Sequence, residues 1–261
     1  MAELLFWPAL LAYGEAAVAY AGDARHPGSM GRLATWGVRV GWLVQTALLI
    51  AQAARADGFP WDTWAGSLNL FVWLVVGAYL IWGCRPRFRL LGLVVMPLAA
   101  LLLAVSYAAG GVAASGKSGY STLFLVLHVG LLLAGFAGLT LAAALAGLYL
   151  WQERQLKRRS ASLLRFRAPS LVTLDSLVAR TVAFSLPVLT LGMGAGFARL
   201  RHGSDLDPLI GLTVFTWAVY GAFLVLRFGV GWRGRRAAYV VIGGFALLIA
   251  LQLSLQTGHF A

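Results

Sequence analysis

Apolar runs close to the ~20 residues needed to cross a bilayer recur along the whole chain. They fall at 4–22, 34–55, 66–83, 90–109, 121–150, 177–198, 209–228 and 237–257, with polar connections between them. Period-two alternation, the mark of a membrane β-barrel strand, is absent. The pattern predicts an all-α, polytopic membrane helical bundle with about eight transmembrane helices. The length suits a single transmembrane domain over 1–261. The first run, "MAELLFWPALLAYGEAAVAYAG", lacks a basic head and carries Glu3 and Glu15. It therefore reads as a membrane helix and not as a signal peptide.

The connections sort by charge. "GDARHPGSMGR", "CRPRFR", "QERQLKRRSASLLRFRAPS" and "GWRGRR" hold most of the lysines and arginines. The other set holds Arg55, Lys117, Arg199 and Arg201 beside Asp57, Asp62, Asp205 and Asp207. The positive-inside rule assigns the first set to the cytoplasm and both termini to the outer side. An even number of spans agrees with that. The long cytoplasmic connection, 152–176, carries Arg154, Lys157, Arg158, Arg159, Arg165 and Arg167. A topology anchor is the simpler account of this cluster; anionic lipid head groups or a cytoplasmic partner would also suit it.

Composition sharpens the picture. Charged residues are 11% of the chain, against about 25% in soluble domains, which excludes an ordinary soluble protein. The net charge of +12 is explained by the inner connections. No basic stretch is interleaved with aromatics, so no nucleic-acid partner is expected. One cysteine, Cys84, rules out an internal disulfide and a CxxC redox pair. Walker A, GxSxG and HExxH motifs are absent. "GMGAG" at 192–196 lies inside a span with no strand before it, which points to close helix packing and not to a nucleotide loop.

Candidate chemistry rests on four histidines: His26, His128, His202 and His259. His26 falls in a cytoplasmic connection beside Pro27. The other three fall at the outer side. An ionisable side chain at membrane depth is a functional candidate by default, and imidazole is a common axial ligand of haem iron. Two imidazoles at similar depth would clamp a planar macrocycle. Trp61, Trp64, Trp73 and Trp217 lie near the same surface, either as cover for such a ring or as an interfacial belt. A helix–helix hydrogen bond is the plainer role for His128. A metal site of His128, His202 and His259 has no carboxylate or cysteine at a diagnostic spacing to support it. His202 reads best as a solvated loop residue. Glu15 would pair with Arg39 if the first two spans pack antiparallel at that depth.

Several segments together resemble the CcsA/HemX-type cytochrome c assembly superfamily. They are "DGFPWDTWAGSLNLFVW", "LHVGLLLAGFAGLTLAAALAGLYLWQERQLK", "LDSLVARTVAFSLPVLTLGMGAG", "DPLIGLTVFTWAVYGAFLVLR", "GWRGRRAAYVVIGGFALL" and the terminal "GHF". The resemblance covers about 55–261 in order and spacing. It implies a bacterial inner-membrane, multi-pass protein that handles haem in cytochrome c biogenesis. On that reading His128 and His259 are the axial ligands of a non-covalent haem b near the outer face. Asp207, of the Asp-Pro that leads into the next helix, and Trp217 within it would also belong to the cofactor-binding site. The implied partners are haem, membrane lipid, apocytochrome c and a separate membrane protein with a large outer domain.

The departures shape the expectation. Synthase members present haem on a tryptophan-rich WWD loop, where this chain has only "RLRHGSDLDPL". One inner-site histidine of those members falls at Val225, the other has no counterpart between Gly58 and Phe59, and a glutamate falls at Gly66. The chain therefore resembles the short HemX-like branch, and no enzymatic activity is expected of it alone. Two other classes stand beside haem handling. One is an accessory or regulatory membrane protein of tetrapyrrole synthesis that binds no haem. The other is a small-solute transporter, for which neither inverted repeats nor paired broken helices are evident.

Overall fold

The computed structural model of the chain describes residues 2–25, 28–56, 59–61, 63–83, 88–111, 121–158, 169–197 and 208–257. Among these there are eight helices and no strand. They are α1 (Ala2–Arg25), α2 (Met30–Ala53), α3 (Trp64–Gly83), α4 (Arg89–Ala108), α5 (Thr122–Lys157), α6 (Leu171–Phe197), α7 (Pro208–Phe228) and α8 (Arg235–Thr257). Over the described residues seven of them, α1 to α7, are long and apolar enough to span a membrane. The protein is an all-α, multi-pass membrane protein.

Two helices outrun the expected spans. α5 continues through Gln152, Glu153 and Arg154 to Lys157, and α6 begins at Leu171. The connection expected over 152–176 is therefore shorter at both ends. A helix need not stop where hydrocarbon stops: these residues are good helix formers and water can meet their side chains. At the other end Ser170 caps α6, its Oγ accepting from the Thr173 N–H at 3.2 Å.

Contacts divide the chain into two compact units, Met1–Leu125 with Gln155–Pro169, and Val126–Arg154 with Ser170–Ala261. In the first, α1 and α2 form an antiparallel pair. Gly37 and Gly41 bring them together: a Cβ on either would stand 3.4 Å from Ala16 Cβ or 3.2 Å from Ala12 Cβ respectively. α4 packs on α1 through the stacked rings of Phe6 and Tyr107, 4.1 Å apart. A chain of buried amides then crosses from α1 to α3. Tyr13 donates to Gln45 Oε1 (2.7 Å), Gln45 Nε2 to Asn69 Oδ1 (2.9 Å), Asn69 Nδ2 to Gln52 Oε1 (3.1 Å) and Gln52 Nε2 to the Gly111 carbonyl (2.8 Å). At the opposite end of α1, Asp23 accepts the N–H groups of Gly28 and Gly31, at the head of α2, and the guanidinium of Arg89 at 3.0 Å.

The second unit has a node of the same chemistry. Asp175 of α6 accepts from Arg227 Nη2 of α7 at 2.6 Å and from the Gly234 N–H, just before α8, at 2.8 Å. Gly231 and Gly234 turn the chain there with φ of 76° and 71°, values that favour glycine. Higher up, the Tyr220 hydroxyl donates to the Val241 carbonyl and ties α7 to α8.

The expected Glu15–Arg39 pair does not form. Glu15 is exposed on α1 and has no ion pair among the described residues, and the Arg39 guanidinium lies 5.3 Å over the Trp36 ring. The reason is angular. Arg39 is two residues, or about 200° of helix rotation, from both Gly37 and Gly41, which face α1.

The amide chain generates a stability expectation. Asn69→Leu strips partners from both Gln45 and Gln52 and should lower stability by about 1–3 kcal/mol. Thermal unfolding in detergent checks it, and an unchanged midpoint would contradict the role given to Asn69.

Candidate functional site

His128 is half-buried in the second turn of α5. Its Nδ1 stands 2.7 Å from the carbonyl oxygen of Gly192 on α6. A carbonyl can only accept, so Nδ1 carries the proton and donates it. In the neutral ring Nε2 then bears the lone pair. A metal-ligating histidine has this arrangement: the outer nitrogen is held by a backbone carbonyl or carboxylate, which fixes tautomer and ring plane.

Glycines make the arrangement possible. A Cβ on Gly192 would lie 2.8 Å from the Leu132 nitrogen, and one on Gly196 would lie 2.5 Å from His128 Cε1. On α5, a Cβ on Gly135 would lie 2.8 Å from Leu189 Cβ, and one on Gly138 would run into Ser185 Oγ. The "GMGAG" stretch is thus a close-packing stripe within a continuous helix, and its last glycine leaves room for the imidazole. This is the small-residue packing that lets membrane helices approach without a hydrophobic driving force.

Trp217 of α7 is tied to the same helix by a different face. Its Nε1 donates to Thr190 Oγ1 at 2.8 Å, and Thr190 Oγ1 in turn donates to the Leu186 carbonyl at 2.8 Å. Thr190 lies about a third of a turn from the stripe of Ser185, Leu189, Gly192 and Gly196 that meets α5. α6 therefore anchors both side chains but holds them on separate faces. Asp207, His202, His259 and His26 lie outside the described residues. No group of three histidine, cysteine or acidic side chains suited to a metal ion occurs among the described residues.

The other tryptophans singled out in the sequence, Trp61, Trp64 and Trp73, belong to the first unit. Trp73 stacks on Trp42 with centroids 5.2 Å apart and donates to Thr46 Oγ1 at 2.8 Å. Trp61 reaches Gln52 Oε1 at 3.4 Å. The Trp64 indole nitrogen is buried with no partner among the described residues. Two positions where the resemblance places inner-site residues are also defined. A Cβ on Gly66 would crowd Thr63 Oγ1 at 3.0 Å and Trp61 Cα at 3.1 Å. Val225 is 68% exposed on α7.

Sequence reasoning missed Gln45, Gln52 and Asn69. Their signal was present: two glutamines seven residues apart put amides on one stripe of a membrane helix, where hydrocarbon tolerates them only against partners.

The family model described as "Cytochrome C assembly protein" matches residues 61–258, a stretch that includes His128, Asp207 and Trp217 and stops one residue before His259. Among curated relatives, "Cytochrome c biogenesis protein CcsA" of Prochlorococcus marinus (strain MIT 9303) is 28% identical over 88% of this chain and 82% of its own length. The protein of the same name from Guillardia theta is 27% identical over 78% and 75%. "Protein HemX" of Brevibacillus brevis is 28% identical over 88% and 86%.

Two outcomes follow from this geometry. Nitrogen-15 NMR of histidine-labelled protein should show His128 Nδ1 carrying a proton; a signal for a bare Nδ1 contradicts the bond to Gly192. Gly196→Ala should displace the ring, breaking that bond, with a stability loss of about 1–3 kcal/mol from overpacking. The same spectrum reads the displacement, and an unmoved His128 signal would contradict it.

Proposed function

Because the chain belongs to the cytochrome c assembly protein family, we propose that it is a haem-handling membrane protein that holds haem near the outer membrane face. His128, in α5, and His259, which follows α8, would be the residues that hold a non-covalently bound haem b through its iron. The observation that carries this reading is the hydrogen bond from His128 Nδ1 to the Gly192 carbonyl. It presents Nε2 as the basic nitrogen and restrains rotation of the ring, which is what an axial ligand requires.

On this reading the chain's residues ligate, orient and shield. Haem supplies the iron chemistry when bound, and the protein supplies position and environment. The apolar second turn of α5 keeps water from one side of the imidazole, and the glycine stripe of α6 holds it at a constant height. His259, following α8, brings the second imidazole. Asp207, which precedes α7 in the sequence, and Trp217 within α7 would also serve the haem, and the Thr190 bond holds the indole in place. The haem is passed to apocytochrome c with a partner membrane protein that contributes an outer domain. A bacterial inner membrane, with both termini outside, fits the charge pattern.

A second reading is favoured by the crowding at Gly66 and the outward-facing Val225. An inner entry site on the synthase pattern would crowd a carboxylate side chain at the first and lack an interior direction for an imidazole at the second. That reading makes the chain an accessory or regulatory protein of tetrapyrrole synthesis that binds no haem.

Absorption spectra of the purified chain, oxidised and reduced, beside a His128→Ala, His259→Ala double variant decide between them. Haem holding requires a Soret band with sharp reduced α and β bands, lost in the double variant. A wild-type chain that stays colourless after haem is supplied removes this proposal and leaves the second reading.

A further inference from the structure

Glu15 and Arg39 are charged side chains inside membrane helices that the fold leaves facing outward. Glu15 stands ten residues before the end of α1 at Arg25, and Arg39 nine residues after the start of α2 at Met30. At a rise of 1.5 Å per residue, both lie roughly 14–15 Å from the shared end of the hairpin. The packing gives the same answer independently. Ala16 is level with Gly37 and Ala12 with Gly41, which sets Glu15 level with Val38 and within one residue of Arg39. Glutamate has a short stem and cannot lift its carboxylate to the membrane surface from that depth. A charge so placed is tolerated only against a partner.

Each charge stands among exposed apolar neighbours of its own helix. On α1, Glu15 shares its exposed flank with Leu11 and Val18, 69% and 74% exposed. On α2, Arg39 lies over Trp36, 62% exposed, with Leu43 beyond it. Apolar side chains thus surround two opposite charges of equal depth that do not pair with each other. Copies of one multi-pass chain insert with the same orientation, so residues of equal depth meet across a twofold axis normal to the membrane. Such an axis turns one anion and one cation into two reciprocal ion pairs, the self-complementarity of an isologous interface.

We propose that the exposed flanks of the α1–α2 hairpin meet a second copy of the chain in a homodimer, in which Glu15 of each copy pairs with Arg39 of the other. The pairing satisfies both charges at once. It uses the α1–α2 surface alone and does not depend on the haem reading.

Charge reversal tests it on the full chain. Copies carrying donor or acceptor fluorescent proteins are reconstituted together into lipid vesicles at low density, and energy transfer reports association. Wild-type copies should associate. Glu15→Arg and Arg39→Glu should each weaken self-association about tenfold or more, because like charges then face each other in hydrocarbon. Mixing a Glu15→Arg copy with an Arg39→Glu copy should restore transfer, since every introduced charge then meets its opposite. That rescue also shows that both variants fold. Glu15→Gln, a milder change, should weaken association without repulsion. Wild-type copies that stay monomeric, single reversals that associate like wild type, or a mixture that fails to recover would each overturn the proposal. So would rescue of Glu15→Arg by Arg180→Glu, since Arg180 is the exposed cation of α6.

Discussion

In hydrocarbon a buried polar atom has no water to turn to, and most of this architecture answers that constraint. Every span satisfies its backbone internally by being helical. The side chains then have to find partners across helices, and they do so in chains. Tyr13, Gln45, Asn69 and Gln52 pass hydrogen bonds from α1 to α3 and end on the Gly111 carbonyl. Asp23 and Asp175 each gather a guanidinium and the backbone N–H of a glycine at or just before a helix start. In both nodes one carboxylate fixes a neighbouring helix and the entrance of another, which satisfies helix-end donors that the bilayer would otherwise leave bare.

The candidate site is the same logic applied to an imidazole. Apolar packing alone would not orient His128. The Gly192 carbonyl does, because the glycine stripe of α6 lets two helices approach closely enough for a side chain to reach a main-chain atom. Ring position and the placement of a proton on Nδ1 come from one contact. The fold and the haem chemistry proposed for it therefore share a single requirement, a close α5–α6 approach at the His128 end of the pair.

Much of this was legible in the sequence, for physical reasons that also mark its limits. Runs of about twenty apolar residues announce spans because bilayer thickness is a fixed length, and a helix occurs at each of the eight expected runs. Helix ends were less readable, since α5 and α6 continue into water where no hydrophobic signal marks them. His128 was conspicuous as an ionisable residue at depth. Its partner was not, because a backbone carbonyl leaves no trace in residue identity. The Glu15–Arg39 pairing within one chain matched charge and depth but neglected azimuth, and Arg39 turns away from α1. The pairing of His259 with His128 and the choice of Asp207 came from resemblance, and both His259 and Asp207 lie outside the described residues.

α5 is a single helix of 36 residues, and His128 sits near one end of it. Its location is therefore a phase as much as a place. An insertion of one residue between His128 and the region where α5 packs deepest would turn the imidazole by about 100° and shift it by about 1.5 Å. The ring would leave the Gly192 carbonyl although every side chain in the site was still present. Seven inserted residues would nearly restore the angle and ruin the height. Along this helix the number of residues carries information that their identities do not. The segment is one in which substitutions should be far better tolerated than changes of length, the reverse of the behaviour of a surface connection.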